Sequence, residues 1–333
     1  MSWEVAMEQA LTLAVADGSV RGTNPRVGCV IVKDGAIVGT GTHRGSGTDH
    51  AEVMALREAG GAARGATAVV TLEPCSHTGR TGPCTQALIA AGIVEVVYAM
   101  ADPTVEASGG HGELQAAGIS VIGGVLNDRA QIINADWTFM KRYGRPFVIG
   151  KIAMSLDGRV DGVGEHRLQL TGRQAQQWAH ELRAEVDAVA VGSGTISRDN
   201  PSLSVRDVFG ASQPLRIALG GNEVPSEAAI RRDAELFVQV TQAQPEQALR
   251  QLCEMGVQRI LIEGGPRLLS SYLSAGFVDR MHWLIAPIFI GRGPMAPSAS
   301  TLLEHLEMPR VSLLGEDVLI SAELAGREVS TTA

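Results

Sequence analysis

The chain has 333 residues, enough for two domains at roughly 150 residues each, and its 28 lysines and arginines against 36 aspartates and glutamates leave a formal net charge of −8. That balance is the wrong one for neutralising a nucleic-acid backbone. The longest nearly uncharged apolar run, residues 281–291, falls short of the ~18 residues of a membrane span, so a transmembrane protein is excluded as well. Glycine is in excess, 39 residues or about 12% against a usual ~7%, and without a collagen period these glycines belong to turns and close approaches.

The first residues, MSWEVAMEQALTLAVADG, carry Glu4 and Glu8 where a targeting segment has positive charge, and read as a folded helix. The run GCVIVKDGAIVGTGTH holds two strands joined at Lys33-Asp34-Gly35, because Asp-Gly accepts the positive φ of a tight hairpin. A helix, HAEVMALREAG, stops at Gly60-Gly61. A strand at 67–72, a loop holding two cysteines, a helix at about 84–91 and a strand at 94–100 complete a ββαβαβ order. This order predicts an α/β sandwich with helices over a largely parallel sheet. Residues 136–144, of mixed polarity and basic, read as a connecting segment.

The second half restarts with a strand at 147–155, a helix containing 174–183 and a strand at 187–191. Further strands are expected at 215–219, 235–240, 259–262 and 281–286, with an antiparallel pair within 311–324. This is again α/β, larger and with an antiparallel end. The four cysteines, Cys29, Cys75, Cys84 and Cys253, are too few and too irregular for a secreted disulfide framework, and point to a reducing cytoplasm.

The strongest chemical signal is His50-Ala51-Glu52 followed by Pro74-Cys75 and Cys84. One imidazole and two thiolates suit Zn²⁺, and three protein ligands keep a fourth position for water. A glutamate two residues after the histidine can move protons for that water without binding the metal, the pattern of zinc deaminases. Two other readings stay open at this point: a closed structural site drawing on His50 or His77 with the cysteines, and a pair of buried free thiols. For Cys29, in an apolar strand, and Cys253, in a helical run, packing suffices. In the second half, Gly264-Gly265-Pro266 follows the strand RILIE and opens a helix whose N–H groups can face an anion such as a cofactor diphosphate. No G-x-G-x-x-G follows a strand, which argues against a Rossmann domain.

Asn24-Pro25-x-Val27-Gly28, His50-Ala51-Glu52-Val53 and TLEPCSHTGRTGPC (71–84) together resemble the deaminase domain of the bifunctional riboflavin-biosynthesis deaminase/reductase family, which spaces its two cysteines in the same way. The likeness continues in order through KIAMSLDGR (151–159), GTISRDNPSLSVR (194–206), IEGGP (262–266) and IAPIFIG (285–291). It implies a cytidine-deaminase-like α/β/α sandwich over residues 1–145 followed by a dihydrofolate-reductase-like α/β domain over 146–333. It also implies zinc-dependent deamination of a diaminopyrimidine ribosylamine 5′-phosphate, then NADPH-dependent reduction of the ribosyl group to ribityl, in a homo-oligomer. On this resemblance His50, Cys75 and Cys84 bind zinc and Glu52 shuttles protons. Asn24, His43, Arg80 and Asp102 meet the first substrate, Arg80 as a guanidinium fork for its phosphate.

The resemblance places Ala153, Gln169, Thr195, Asp199, Gly265, Pro266, Arg267, Leu268, Leu269, Ser270 and Ser271 at the NADPH, and Arg167, Arg183, Leu203, Arg206 and Glu263 at the second substrate. Lys151 and Asp199 read as polar groups at strand or loop ends, with a surface ion pair as the plain alternative. The segment Gly164-Glu165-His166-Arg167-Leu168-Gln169-Leu170-Thr171-Gly172 lacks the serine and tryptophan that the family carries there. That departure leaves a second reading, a deaminase whose reductase-like domain is impaired or acts on a changed substrate.

Overall fold

The computed structural model describes residues 1–16, 22–45, 47–76, 82–104, 109–164, 168–242, 244–297 and 306–324, and the chain divides into two compact units, Met1–Gly144 and Arg145–Ala333. The first unit runs α1 (Trp3–Ala14), β1 (Gly28–Lys33), β2 (Ala36–Thr42), α2 (Ala51–Ala59), β3 (Thr67–Leu72), α3 (Cys84–Ala91), β4 (Glu95–Met100), α4 (Gly110–Ala116), β5 (Ser120–Gly123), α5 (Asn127–Ile133) and α6 (Ala135–Tyr143). Its five-stranded sheet has the order β2-β1-β3-β4-β5. The hairpin turn is as expected, with Asp34 and Gly35 both at positive φ (51° and 76°).

Two expectations are corrected here. The sheet is mixed, because β1 is antiparallel to both β2 and β3, and only β3, β4 and β5 run parallel. The stretch read as a connecting segment is helix α6, which buries Trp137 and Met140 one turn apart. Its mixed polarity is that of an amphipathic helix, whose charged face hid the short apolar one. Elements α4, β5 and α5, not expected from the sequence, are short and carry few apolar residues.

Glycines set how closely the helices approach this sheet. A Cβ on Gly28 would lie 2.0 Å from the Ala10 carbonyl oxygen in α1, and one on Gly41 would lie 2.0 Å from that of Ala51 in α2. Gly28 pairs with Thr42 and Cys29 with Gly41, so Gly28 and Gly41 point to opposite faces and α1 and α2 cover the two sides. The first turn of α2, which carries Glu52, therefore rests directly on β2.

The second unit runs β6 (Phe147–Ser155), α7 (Arg173–Ala184), β7 (Ala188–Gly192), α8 (Ser193–Asp199), β8 (Leu215–Leu219), β9 (Phe237–Val240), α9 (Pro245–Glu254), β10 (Arg259–Glu263), α10 (Pro266–Ser274), β11 (Arg280–Ala286), β12 (Glu307–Leu314) and β13 (Asp317–Glu323). The strand expected at 235–240 starts at Phe237, since Ala234–Leu236 is a 3₁₀ turn. The eight-stranded sheet has the order β12-β13-β11-β6-β10-β7-β8-β9. Strands β11 to β9 in that order are parallel, and β13 and β12 add antiparallel.

Alternate residues of the central strands enter separate cores on the two faces, one with Val148, Ile260 and Ile262 against α9 and α10, the other with Ile149, Val189 and Leu261 against α7 and α8. Burial on both faces explains why VAV and ILI read as continuous apolar runs. The carboxyl ends of the adjacent strands β6, β10 and β7 open on one edge, where ligands of such sheets bind.

Candidate active site

The zinc-type residues of the first unit all sit at the ends of elements. His50 is the N-cap of α2, Glu52 lies in its first turn, Cys75 follows β3, and Cys84 is the first residue of α3. His50 makes no side-chain cap bond. Its Nδ1 instead lies 3.0 Å from Cys84 Sγ and 3.6 Å from Cys75 Sγ, and the three donor atoms fall within 4.8 Å of one another. A tetrahedral ion with bonds of ~2.1 Å to nitrogen and ~2.3 Å to sulfur needs donors ~3.5 Å apart, so one imidazole and two thiolates so spaced fit zinc.

Electrostatics favour the charged form of one of the two thiols, Cys75. Cys84 N at the start of α3 donates to Cys75 Sγ (3.4 Å), and helix N-termini stabilise thiolates. The hydrogen bond from Cys84 holds the Cys75 thiol down at about 4 against the cost of burial, and the same contact with burial pushes Cys84 up. Glu52 is 4% exposed, and burial raises its carboxyl above the ordinary range even though His50 pulls it down.

These groups open on a cavity of about 890 Å³ that Asn24, His43, His50, Glu52, Cys75 and Asp102 all line. The ring of His43 stands edge-on to that of His50, 5.2 Å between centroids, and its Nδ1 is 3.2 Å from the Asp49 carbonyl oxygen. A carbonyl only accepts, so Nδ1 carries the proton and Nε2 is an acceptor. Burial lowers the His43 pKa and keeps the ring neutral. Asp102 Oδ1 accepts from Thr104 N (2.8 Å) and Thr104 Oγ1 (2.6 Å), and burial raises its carboxyl. Arg80 lies outside the described residues.

Sequence reasoning missed the rest of the lining. Glu73, buried immediately before Pro74-Cys75, accepts from His111 N (2.9 Å) and Asp102 N (3.3 Å) and so fixes the Asp102 loop. Trp137, Thr138, Lys141 and Arg142 line another wall, and all belong to α6. Their helical spacing was the available signal, masked by the reading of that stretch as a connection.

In the second unit, Gly264 and Gly265 have φ of +82° and +71° at the start of α10. A Cβ on Gly265 would lie 3.0 Å from Thr195 Oγ1 in α8, which leaves room for a ligand to approach the backbone only while the position is glycine. Thr195 and residues 264–268 are thus together at a helix N-terminus, a cradle that fits a diphosphate. Asp199 ends α8, and Ala153 lies on β6 toward its carboxyl end. Leu269 is fully buried in the core and Leu203 is 3% exposed, so backbone is what either can offer a ligand. Gln169 turns its amide to the Thr171 carbonyl (3.5 Å), and Arg167 lies outside the described residues.

Glu263 is buried between Lys151 Nζ (3.2 Å) and Arg183 Nε (2.7 Å), a buried triad in place of the surface pair considered for Lys151. Burial pushes the Glu263 carboxyl up, but Arg183 and Lys151 outweigh it and hold it down at about 2. Arg183 also donates to the Ser204 carbonyl (3.1 Å), and Arg206 N lies 3.2 Å from His180 Nδ1, itself 3.1 Å from that carbonyl. Arg183 thus reaches, from α7, the loop that holds Ser204 and Arg206. His180, and His282 in register with Lys151, were not anticipated, and lone histidines carry no sequence signal of this kind.

Known families match residues in each unit. Residues 1–100 match the model of the cytidine and deoxycytidylate deaminase zinc-binding region, and residues 146–320 that of the RibD C-terminal domain. The chain is 39% identical over 331 residues to a riboflavin biosynthesis protein RibD of Mycobacterium tuberculosis, covering 95% of this chain and 97% of that protein. It is 37% identical over 327 residues to the protein of that name from Escherichia coli, covering 87% and 89%. Among solved structures, Acinetobacter baumannii RibD, form 2, superposes with a TM-score of 0.81 at 34% identity, covering 97% of this chain and 98% of that one.

Proposed function

The chain belongs to the RibD family, and from that premise we propose that residues 1–145 deaminate a phosphorylated diaminopyrimidine ribosylamine and residues 146–333 then reduce its ribosyl group with NADPH. The observation that carries this is the His50, Cys75 and Cys84 triad with Glu52 beside it at the cavity wall. Zinc, held by those three residues, supplies the Lewis acidity that makes water a nucleophile near neutral pH. Glu52 takes the proton released as water adds to the amine-bearing ring carbon and passes it to the departing nitrogen, so a C–O bond forms, the C–N bond breaks and ammonia leaves. Asn24, His43 Nε2 and Asp102 read the polar edges of the ring. Arg80 is assigned to the substrate phosphate.

In the second unit the backbone of Gly265 to Ser271 with Thr195 and Asp199 would hold the nicotinamide cofactor, with Ala153 and Gln169 alongside it, and NADPH bound there would supply a hydride to the sugar C1′ as the bond from C1′ to the ring oxygen opens and that oxygen takes a proton from water. Arg183 and Arg206 orient the substrate phosphate, while Leu203, Arg167 and Glu263 complete that site and Lys151 neutralises the buried Glu263. The reading that the second unit is impaired is not favoured, since its cradle and cationic cluster are both built. We assign the protein to the cytoplasm and to a homo-oligomer. Among the described residues no helix is long and apolar enough to cross a membrane, and Val311 and Leu313 stand exposed on edge strand β12.

The test is one incubation of the zinc-loaded protein with the diaminopyrimidine phosphate and NADPH, which should release ammonia and then consume NADPH. Glu52→Gln should abolish ammonia release, at least 10²-fold, with zinc retained and reduction of pre-deaminated substrate intact. Unchanged ammonia release in that variant overturns the assignment.

A further inference from the structure

Helix α6 does more than wall the cavity. Asn134 is its N-cap residue, 2% exposed, and an asparagine there ordinarily turns its oxygen to the helix's own N–H groups. It makes no such bond. Its Oδ1 accepts from Arg26 N at 2.8 Å, and its Nδ2 donates to the Arg26 carbonyl oxygen at 3.0 Å, a two-point clamp on a backbone unit 108 residues away. One turn further on, Trp137 Nε1 donates to the Thr23 carbonyl oxygen at 3.2 Å. The two anchors fall on either side of Asn24 and Pro25, both of which line the cavity. Asn134 Nδ2 also contacts Met100 Sδ (3.9 Å) at the end of β4, two residues before Asp102.

The geometry points to Asn134 and Trp137 as positioning residues of the deamination site: together they fix the backbone of residues 23–26 and so aim Asn24 at the pyrimidine. This rests on the deaminase reading above and adds to it residues that never reach the ring. Residues 23 and 26, ahead of β1, take these bonds from α6, and a cap residue whose amide holds that segment and makes no cap bond serves the loop at the expense of the helix. A buried amide with both groups satisfied by the N–H and C=O of one residue also admits no isosteric replacement, since aspartate loses the donor and leucine loses both.

The experiment is a double-mutant cycle on the full-length zinc protein, with ammonia release from the diaminopyrimidine phosphate as the readout. Asn134→Ala should raise KM about tenfold or more with a smaller fall in kcat, while zinc content and NADPH-dependent reduction stay unchanged. Trp137→Phe, which keeps the ring and removes only the Nε1 donor, should raise KM by a smaller factor of about three. Asn24→Ala combined with Asn134→Ala should be no worse than Asn24→Ala alone, because the clamp acts through that side chain. Additive losses, or a zinc content that falls in step with activity in Asn134→Ala while Trp137→Phe behaves as wild type, overturn the proposal. If Asn24→Ala by itself leaves deamination untouched, the reading of the pyrimidine site has failed, a result separate from additivity.

Discussion

At the scale of single residues, chemistry is set by which partner each charge meets. Glu263 is the clearest case, with its carboxylate buried and both oxygens taken by cations. Its carboxyl stands at about 2 in the fold, because Arg183 and Lys151 overcome the cost of burial, against ~4.3 in the unfolded chain. A carboxyl depressed on folding contributes stability that is present above pH ~4.3 and is lost as pH falls towards about 2. Glu263→Gln should therefore destabilise the second unit by about 3 kcal/mol near neutrality, since two cations then face a neutral amide. Its melting temperature should approach that of wild type as the pH is lowered through this window. Parallel curves across the window would show that the triad does not set the acid limb. The sequence made Glu263 and Arg183 legible as site residues, but nothing in the spacing of Lys151, Arg183 and Glu263 announces that they share one buried contact.

At the scale of elements, glycine and helix ends decide the site. His50 caps α2, and Gly41 lies under the first turn of that helix with no space for a methyl group. Gly41→Ala should push α2 off β2, cost about 3 kcal/mol or more of first-unit stability, and weaken zinc binding. Gly61→Ala, where a Cβ meets nothing within 4 Å, should stay within about 0.5 kcal/mol of wild type. Chemical denaturation with a metal-exchange assay distinguishes the two, and equal effects would show that the close approach is not what Gly41 provides. Part of the glycine excess is thus explained by Gly28, Gly39 and Gly41, whose role comes from which helix lies over them. Helix α6 was the element least legible in advance, because its cavity-facing residues belong to a stretch of mixed polarity. Only its packing beside residues 23–26 shows which face matters.

At the scale of the whole molecule, the two compact units should respond separately to what each binds. Removing zinc with a chelator should lower the melting transition of the first unit, because metal that binds only the folded form adds to its stability, and leave the second in place. Adding NADPH should do the converse. Calorimetry with each ligand in turn checks this, and a single transition that moves with both would show that the units melt as one.

Read alone, the chain gives two α/β units, the hairpin turn at Asp34-Gly35, most strand positions, and the candidate grouping of His50, Cys75 and Cys84 with Glu52. Each of these is written locally, as periodicity, turn chemistry or closely spaced ligands in one order. Tertiary structure alone decided that β1 runs antiparallel to β3, that Glu73 braces the Asp102 loop, and that Asn134 gives up its helix cap to hold Arg26. The reason is physical: these depend on which groups distant in the chain come within hydrogen-bond distance, and a contact spanning 108 residues leaves no period or spacing in the chain.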